Sequence, residues 1–182
     1  MGRDIRSYDP ETLRACFGIV MQNDFIFQDT IKENIAFGRH FAEDSIEEAT
    51  INAQAYPFIK DLDEQFDYSL NSNGTNLSGG QRQRILLSRA LVNNPQILLL
   101  DDSSSALDYA TDAKLRQAIS HHYRQSTKII IAQRVSSIRH ADQIIVLDEG
   151  RIVAAGDHQK LIQTSEIYAS ISESQMGGAL LE

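Results

Sequence analysis

Several features that mark special classes of protein are scarce in this sequence of 182 residues. Cys16 is its only cysteine, so no disulfide can form within the chain, a reducing compartment is expected, and the thiol is predicted to lie in the core. Three prolines and ten glycines exclude collagen-like and proline-rich chains. The longest apolar runs have the length of a strand, whereas a helix that crosses a bilayer needs about 20 apolar residues. What remains is a folded globular domain.

Net positive charge is also missing. The chain has 17 basic and 25 acidic residues, which gives a net charge of −8, and it contains no run of lysine or arginine. Because nucleic-acid backbones and anionic membrane surfaces attract basic proteins, no nucleic acid is expected among the partners. Proteins and small molecules are expected instead.

Short β-branched runs alternate with longer helix-like segments along most of the chain. This order is typical of an α/β fold, in which a mostly parallel sheet is flanked by helices. The segment Asp148-Glu149-Gly150 has the composition of a turn, so the last two strands are predicted to form a hairpin. The predicted strands are 17–20, 96–100, 128–132, 143–147 and 151–155.

The helical segments divide the chain into two parts. A helical subdomain is predicted over roughly 29–95, where Ser45 and Glu48 fit a capping box that would start a helix. A C-terminal core part is predicted over roughly 96–176. The other predicted helices start at Ser78 and end near 93, and cover 108–122 and 158–174.

A serine and two glycines stand at the start of the helix predicted from Ser78. Free N–H groups and the positive end of the helix dipole would face a ligand there, and glycine lets a phosphate approach closely. Taken alone, the pattern is equally well explained as a cap that only begins a helix. We call these residues the signature segment: Leu77, Ser78, Gly79, Gly80 and Gln81.

Three arginines follow the signature segment along the same predicted helix. Arg82, Arg84 and Arg89 could contact phosphates or nucleic acid. Because the chain carries a net negative charge, we expect ion pairs on a solvated helix face instead.

Two carboxylates, Asp101 and Asp102, end an apolar run that is predicted to be a buried strand. Open α/β sheets bind their ligands at the carboxyl ends of strands, and a carboxylate there suits Mg²⁺, directly or through water. In isolation, a buried strand that ends in a helix cap explains the pattern better.

The order and spacing of five motifs decide between these interpretations. Together they resemble the ATPase domain of ATP-binding-cassette (ABC) transporters, from its glutamine loop to its C-terminus. The sequence that flanks these motifs resembles the exporter branch of the family. The resemblance implies part of a P-loop NTPase fold of the ABC type. The motifs are Gln22 after a strand, the signature segment, Asp101-Asp102, the segment 105–108 that ends in Asp108, and the strand 129–132 followed by Gln133.

The resemblance also implies ATP and Mg²⁺ as ligands and assigns roles to these residues. Gln22 would contact Mg²⁺ and sense a membrane domain, and Asp101 would support Mg²⁺. The signature segment would hold the γ-phosphate of ATP bound to an opposing subunit. Asp108 would lie in the loop that links the two ATP sites.

Three features depart from the family pattern. No glycine is followed by lysine, so the phosphate loop Gly-x-x-x-x-Gly-Lys-Ser/Thr is absent, and the sequence resembles a domain without its N-terminal part. Asp102 occupies the position where the family usually has the glutamate that polarises the attacking water. Aspartate is one methylene shorter, so its carboxylate would lie farther from that water. Gln133 stands where the family has a switch histidine, and an amide does not titrate near neutral pH. The two catalytic positions therefore resemble the degenerate half of a heterodimeric exporter.

A degenerate half would complete the ATP site of its partner while its own site is slow. The expected partners are a second ABC ATPase subunit and the transmembrane domains of an exporter, which would hold the chain at the cytoplasmic face of the membrane. The isolated chain is expected to be inactive. Two alternatives stay open, a non-catalytic module that regulates a complete partner and a soluble ABC ATPase.

Overall fold

A computed structural model describes residues 4–178, with side chains through residue 175. These residues form two compact units, of which the first ends at Ile131 and the second begins at Ala132. The first unit contains a three-stranded sheet and the second a two-stranded sheet. The predicted division into a helical subdomain over 29–95 and a core over 96–176 stays a prediction.

Helices and strands follow one another along the described chain, joined by loops and short 3₁₀ turns. The strands are β1 (Phe17–Val20), β2 (Ile97–Asp101), β3 (Thr127–Ile131), β4 (Ile144–Asp148) and β5 (Arg151–Gly156). The helices are α1 (Pro10–Ala15), α2 (Ile31–Ala36), α3 (Glu43–Asn52), α4 (Tyr56–Lys60), α5 (Gly79–Leu91), α6 (Tyr109–His122), α7 (Val135–Ile138), α8 (His158–Thr164) and α9 (Glu166–Gly178). Within residues 4–178, none of these helices has the length and apolar character that crossing a bilayer requires.

The three strands of the first unit form a parallel sheet in the order β1-β2-β3, which confirms the predicted α/β class. Val20 pairs with Leu100, and Asp101 pairs with Ile131. The carboxyl ends of all three strands therefore meet at one edge of the sheet. Strand β2 extends to Asp101, one residue past its predicted end, because the ladder with β3 continues there.

The position of α5 on this sheet depends on Gly18 in β1. A Cβ at position 18 would overlap the carbonyl oxygen of Ala90 in α5, so only glycine lets the strand and the helix approach this closely. Every residue of α5 from Ile85 to Leu91 is buried, and the helix shares its core with Leu98 and Leu100 of β2. The core of the first unit is built around this contact.

The other face of the sheet is open. Ile19, Ile129 and Ile131 expose 42%, 50% and 53% of their surface, while Val20 and Leu98, at alternate positions of the same sheet, are buried. Parallel sheets in α/β proteins are normally covered on both faces. This row of isoleucines is therefore an apolar surface on which further protein is expected to pack.

Helix α3 begins earlier than the sequence suggests. The predicted capping box of Ser45 and Glu48 is wrong, because α3 starts at Glu43 after Ala42, which makes no side-chain cap. The Ser45 N–H donates to the Ala42 carbonyl at 3.0 Å, so Ser45 lies inside the first turn. Glu43 and Asp44 favour this earlier start, since carboxylates in a first turn complement the helix dipole.

Cys16 lies at the end of α1, directly before β1, and is half-buried rather than a core residue. Its thiol donates to the carbonyl oxygen of Thr12 at 3.4 Å. The prediction that the thiol fills the core is therefore wrong.

The second unit contains the predicted hairpin, since β4 and β5 pair in antiparallel fashion. The single helix predicted over 158–174 is two helices, because the backbone of Ser165 is extended (φ −126°, ψ 106°). The Ser165 hydroxyl accepts the Tyr168 N–H at 3.3 Å and so begins α9. Tyr168 packs with Leu161, Ile144 and Val146 in a small separate core.

Truncating a side chain should lower the free energy of unfolding by different amounts on the two faces of the sheet. Leu98→Ala should lower the free energy of unfolding of the chain by about 2–5 kcal/mol, because Leu98 is fully buried and its removal leaves a cavity. Ile129→Ala, on the neighbouring strand but half exposed, should cost less than about 1 kcal/mol. Urea denaturation of both variants measures this, and equal losses would contradict the described burial.

Candidate functional site

The signature segment starts α5 with a reciprocal cap. The Ser78 hydroxyl accepts the Gln81 N–H at 3.2 Å, and the Gln81 side-chain oxygen accepts the Ser78 N–H at 2.9 Å. The first N–H groups of a helix have no partner within it, so those of Gly79 and Gly80 face outward at its positive end. Leu77 is half-buried and packs against the core. The segment can therefore donate backbone hydrogen bonds to an anion, while Leu77 holds it against the core.

The two glycines differ in what the surrounding chain requires of them. A Cβ on Gly80 would lie 3.1 Å from the carbonyl oxygen of Ala106, which is tighter than normal contact. A Cβ on Gly79 would meet only the Cβ of Ala106, at an ordinary 3.6 Å. Packing within the chain therefore favours glycine at position 80 but does not require it at position 79, where a bare backbone keeps the turn accessible from outside.

Three of the predicted site residues lie at the carboxyl edge of the parallel sheet. Gln22 is exposed two residues after β1, and Asp101 and Asp102 end and follow the neighbouring strand β2. Both carboxylates are partly exposed. No group of three or more His, Cys, Asp and Glu side chains that could hold a metal occurs among the residues whose side chains the structure describes.

Asp102 has a left-handed backbone conformation, with φ at 48°. This region is uncommon for residues other than glycine, and aspartate is among those that tolerate it best. The Asp102 N–H donates to the Ile131 carbonyl at 2.9 Å, which continues the contact between β2 and β3. The chain turns sharply here and enters the segment 102–108, which we call the 102–108 loop.

Gln83 holds the 102–108 loop on α5. Its side-chain Nε2 donates to the Asp102 carbonyl at 3.0 Å, and its Oε1 accepts the Ala106 N–H at 3.0 Å. No local pattern in the sequence indicates this role of Gln83, because its backbone partners lie 19 and 23 positions along the chain.

Asp108 ends the 102–108 loop and caps α6. Its carboxylate accepts the Thr111 N–H at 2.9 Å and the Thr111 hydroxyl at 2.7 Å. These hydrogen bonds favour the ionised form, so they lower the pKa of Asp108 below its ordinary value. The residue is exposed, and it therefore carries a fixed negative charge beside the first turn of α6.

Arg89 lies in the interior, which overturns the expectation of ion pairs on a solvated helix face. Only 7% of it is exposed, and its guanidinium donates to the carbonyls of Asn34 (2.8 Å) and Phe25 (3.0 Å). It also donates to the Asn34 side chain at 3.2 Å and lies 3.6 Å from the Asp24 carboxylate. Burial lowers the pKa of Arg89, and the Asp24 carboxylate opposes that shift. Through its hydrogen bonds, Arg89 holds the segment after Gln22 against α5.

The other two arginines differ from each other, since Arg84 is half-buried and Arg82 lies on the solvated face. The Arg84 guanidinium is half-buried over the Phe58 ring, 4.8 Å from its centroid, and donates to the Gln54 carbonyl at 2.8 Å. Arg82 alone is exposed, and it donates to the Asn73 carbonyl at 3.4 Å.

An aromatic cluster covers Arg89 on the surface. Phe25 and Phe27 make an edge-to-face contact with ring centroids 4.8 Å apart, and Phe37 lies 5.3 Å from Phe27. The three rings expose between 41% and 48% of their surface. Contiguous exposed aromatic surface of this kind is typical of interaction surfaces.

Gln133 belongs to the second unit, and its side chain is exposed. Its carbonyl accepts the Nε2 of Gln175 at 2.7 Å, and the Oε1 of Gln175 accepts the Val135 N–H at 2.8 Å. The backbone around Gln133 is therefore held by α9, and the amide of Gln133 is left facing solvent.

Comparisons with known proteins agree on one family. The family model for ABC transporters matches residues 1–105. An ATP-dependent lipid A-core flippase of Francisella tularensis subsp. tularensis is 39% identical over 175 residues, which are 95% of this chain and 29% of the flippase. YfiB of Bacillus subtilis, described as an uncharacterized ABC transporter ATP-binding protein, is 44% identical over 176 residues, which are 96% of this chain and 30% of YfiB.

A solved structure agrees with the sequence relatives. A bacterial Atm1-family ABC exporter with ATP bound matches with a TM-score of 0.87 and 37% identity, over 96% of this chain and 31% of the exporter. The predicted ABC ATPase fold is confirmed. The chain spans about 30% of the length of the curated relatives it matches.

The buried position of Arg89 leads to a prediction on stability. Arg89→Met should destabilise the chain by about 3–5 kcal/mol, because it leaves the Asp24 carboxylate and two carbonyls without their buried donor. Arg82→Met on the same helix is the control and should change stability by less than about 0.5 kcal/mol. Thermal and urea denaturation of the two variants give the comparison, and a mild Arg89→Met would mean that Arg89 does not anchor this segment.

Proposed function

The chain belongs to the ABC transporter family, and from this premise we propose that it is an ATP-binding domain that energises an exporter. The reaction served is ATP + H₂O → ADP + phosphate, coupled to export across a membrane. The observation that carries the proposal is the outward-facing first turn of α5, with two free backbone donors and a glycine at position 79 that packing within the chain does not require.

The signature segment acts on ATP held by the partner in this proposal. A helix N-terminus binds a phosphate through backbone N–H groups and the helix dipole. Gly79 and Gly80 place such groups on the outside of the turn, where a nucleotide on a second ATPase subunit can reach them. The Gln81 oxygen is engaged in the cap, so Gln81 can offer a ligand only its side-chain NH₂.

The edge of the sheet supplies the chain's own part of an ATP·Mg²⁺ site. Gln22 and Asp101 present an amide oxygen and a carboxylate, and these are the hard ligands that Mg²⁺ accepts beside phosphates and water. When bound, ATP·Mg²⁺ supplies the phosphoryl group and the positive charge that its transfer needs. The residues at this edge fit that role, since Gln22 is exposed just after β1 and Asp101 is partly exposed at the end of the adjacent strand β2.

Two substitutions support the proposal that this half is degenerate. Asp102 occupies the position of the carboxylate that orients the attacking water, and its side chain is one methylene shorter than glutamate. Gln133 occupies the switch position with a group that does not titrate near neutral pH. A site of this composition would bind nucleotide and turn it over slowly, while the signature segment still serves the partner in a heterodimer.

The partners follow from the same proposal. The cluster of Phe25, Phe27 and Phe37 lies on the segment after Gln22 and is the surface on which a transmembrane domain of the exporter would dock. Docking there would hold the chain at the cytoplasmic face of the membrane. It would also connect movements of the membrane domain to Gln22.

Side-by-side substitutions test which ATP site works. In the assembled exporter, Gly79→Asp should nearly abolish steady-state ATP hydrolysis, because a carboxylate would replace open backbone beside the γ-phosphate. Loss of one donor to a developing charge typically costs about 10²–10³ in rate. Asp102→Asn should reduce the rate far less, since its own site is already slow. If Asp102→Asn is the more damaging variant, this chain carries the working site and the degenerate-half proposal is wrong.

Restoring the family residues tests the cause of the slow site. In the exporter, the double change Asp102→Glu and Gln133→His should raise single-turnover hydrolysis at this site by roughly 10-fold or more, the scale of general-base effects. Each change alone should do less because the two groups act together. An unchanged rate in the double variant, with ATP binding intact, would locate the degeneracy in another residue.

A further inference from the structure

The amide of Gln83 connects two parts of the first unit that the proposed function assigns to different ATP sites. It lies one helical turn after Gly79 in α5, and both ends of its amide bind the backbone of the 102–108 loop. We infer that Gln83 is a positioning residue that couples the signature segment to this loop. The inference rests on the proposed function, because it concerns how one ATP site senses the other.

The two hydrogen bonds of Gln83 are specific in direction. Nε2 donates to the Asp102 carbonyl and Oε1 accepts the Ala106 N–H, each at 3.0 Å. A flipped amide would place oxygen against oxygen and N–H against N–H, so only one orientation fits. The Asp102 carbonyl also accepts the Ser105 hydroxyl at 3.1 Å. The amide therefore fixes both ends of a turn whose first residue has the left-handed conformation.

The helix transmits displacement between the two places. Four residues of α-helix rise about 6 Å in one rigid turn, so a shift of Gly79 moves Gln83 with it. Gly80 adds a second contact, since its backbone packs so closely on the Ala106 carbonyl that a Cβ at position 80 would lie 3.1 Å from the carbonyl oxygen. A ligand that pulls on the first turn of α5 would consequently move the loop that carries Asp102 and Asp108.

Two variants separate this coupling from simple packing. Gln83→Met keeps the approximate volume and removes both hydrogen bonds, so the Ala106 amide should lose its protection from hydrogen exchange in the 182-residue chain. In the assembled exporter, the same variant should lower kcat for ATP hydrolysis about 10-fold, the effect of roughly 1.4 kcal/mol, and change KM little. Gln117→Met, at an exposed position of α6, is the control and should leave both measurements unchanged.

Gln83→Glu gives a readout that packing alone would not move. At pH 8 the ionised carboxylate would repel the Asp102 carbonyl, and hydrolysis should fall about as far as in Gln83→Met. The Asp102 carbonyl raises the pKa of the new carboxyl, and the Ala106 N–H, which donates to this side chain, opposes that shift. As the pH falls toward this pKa, protonation restores a donor to the Asp102 carbonyl, so the rate relative to wild type should recover. Gln83→Met should show no such recovery.

The outcomes distinguish this inference from the proposed function. Wild-type hydrolysis by Gln83→Met and Gln83→Glu, with Gly79→Asp inactive, overturns the coupling and leaves the proposed function standing. Wild-type hydrolysis by all three overturns both. A loss in Gln83→Glu that does not depend on pH assigns Gln83 to packing only and also overturns the coupling.

Discussion

The close approach of α5 to β1 at Gly18 is the contact on which the rest of the first unit depends. It brings the helix backbone onto the sheet, and the apolar residues of the C-terminal half of α5 then fill the space above Leu98 and Leu100. Fully buried side chains of this size each contribute roughly 1.5–3 kcal/mol. A helix packed in this way can carry polar side chains at defined positions along its length, because the residues from Ile85 to Leu91 are buried in the core.

Two such polar side chains lie near opposite ends of α5 and hold different loops. Gln83 binds the backbone after β2, and Arg89 binds the backbone after β1. Both donate to backbone carbonyls of loops far along the chain, and a carbonyl that loses a buried donor is costly. The carboxyl edge of the sheet, where Gln22 and Asp102 lie, is therefore shaped by a helix on the sheet's covered face.

Features of the sequence that depend on near neighbours were predictable. The cap at Ser78, the hairpin of β4 and β5 and the carboxylates at the end of β2 each rest on a few adjacent residues, and the structure contains all three. The cap predicted at Ser45 was wrong because two acidic residues just before it start the helix earlier. The break between α8 and α9 at Ser165 was not predicted, because neither proline nor glycine marks it in the sequence.

Features that depend on distant residues were not predictable from local patterns. Arg89 binds Asn34, 55 positions away, and the partners of Gln83 lie 19 and 23 positions away. An arginine on an amphipathic helix in an acidic chain has the same local pattern whether it is buried or solvated. Its burial is decided by Phe25, Phe27 and Phe37, which approach it only in the folded chain.

The geometry around Asp102 separates the shape of the loop from the chemistry of its side chain. The left-handed turn is held through the Asp102 N–H, bound to Ile131, and the Asp102 carbonyl, bound to Gln83 and Ser105. None of these bonds uses the carboxylate. A change in side-chain length at this position can therefore weaken a chain's own hydrolytic site while the loop keeps its place against the signature segment. This independence gives a physical route by which one half of a proposed heterodimer could lose catalysis and still serve the ATP site of the other.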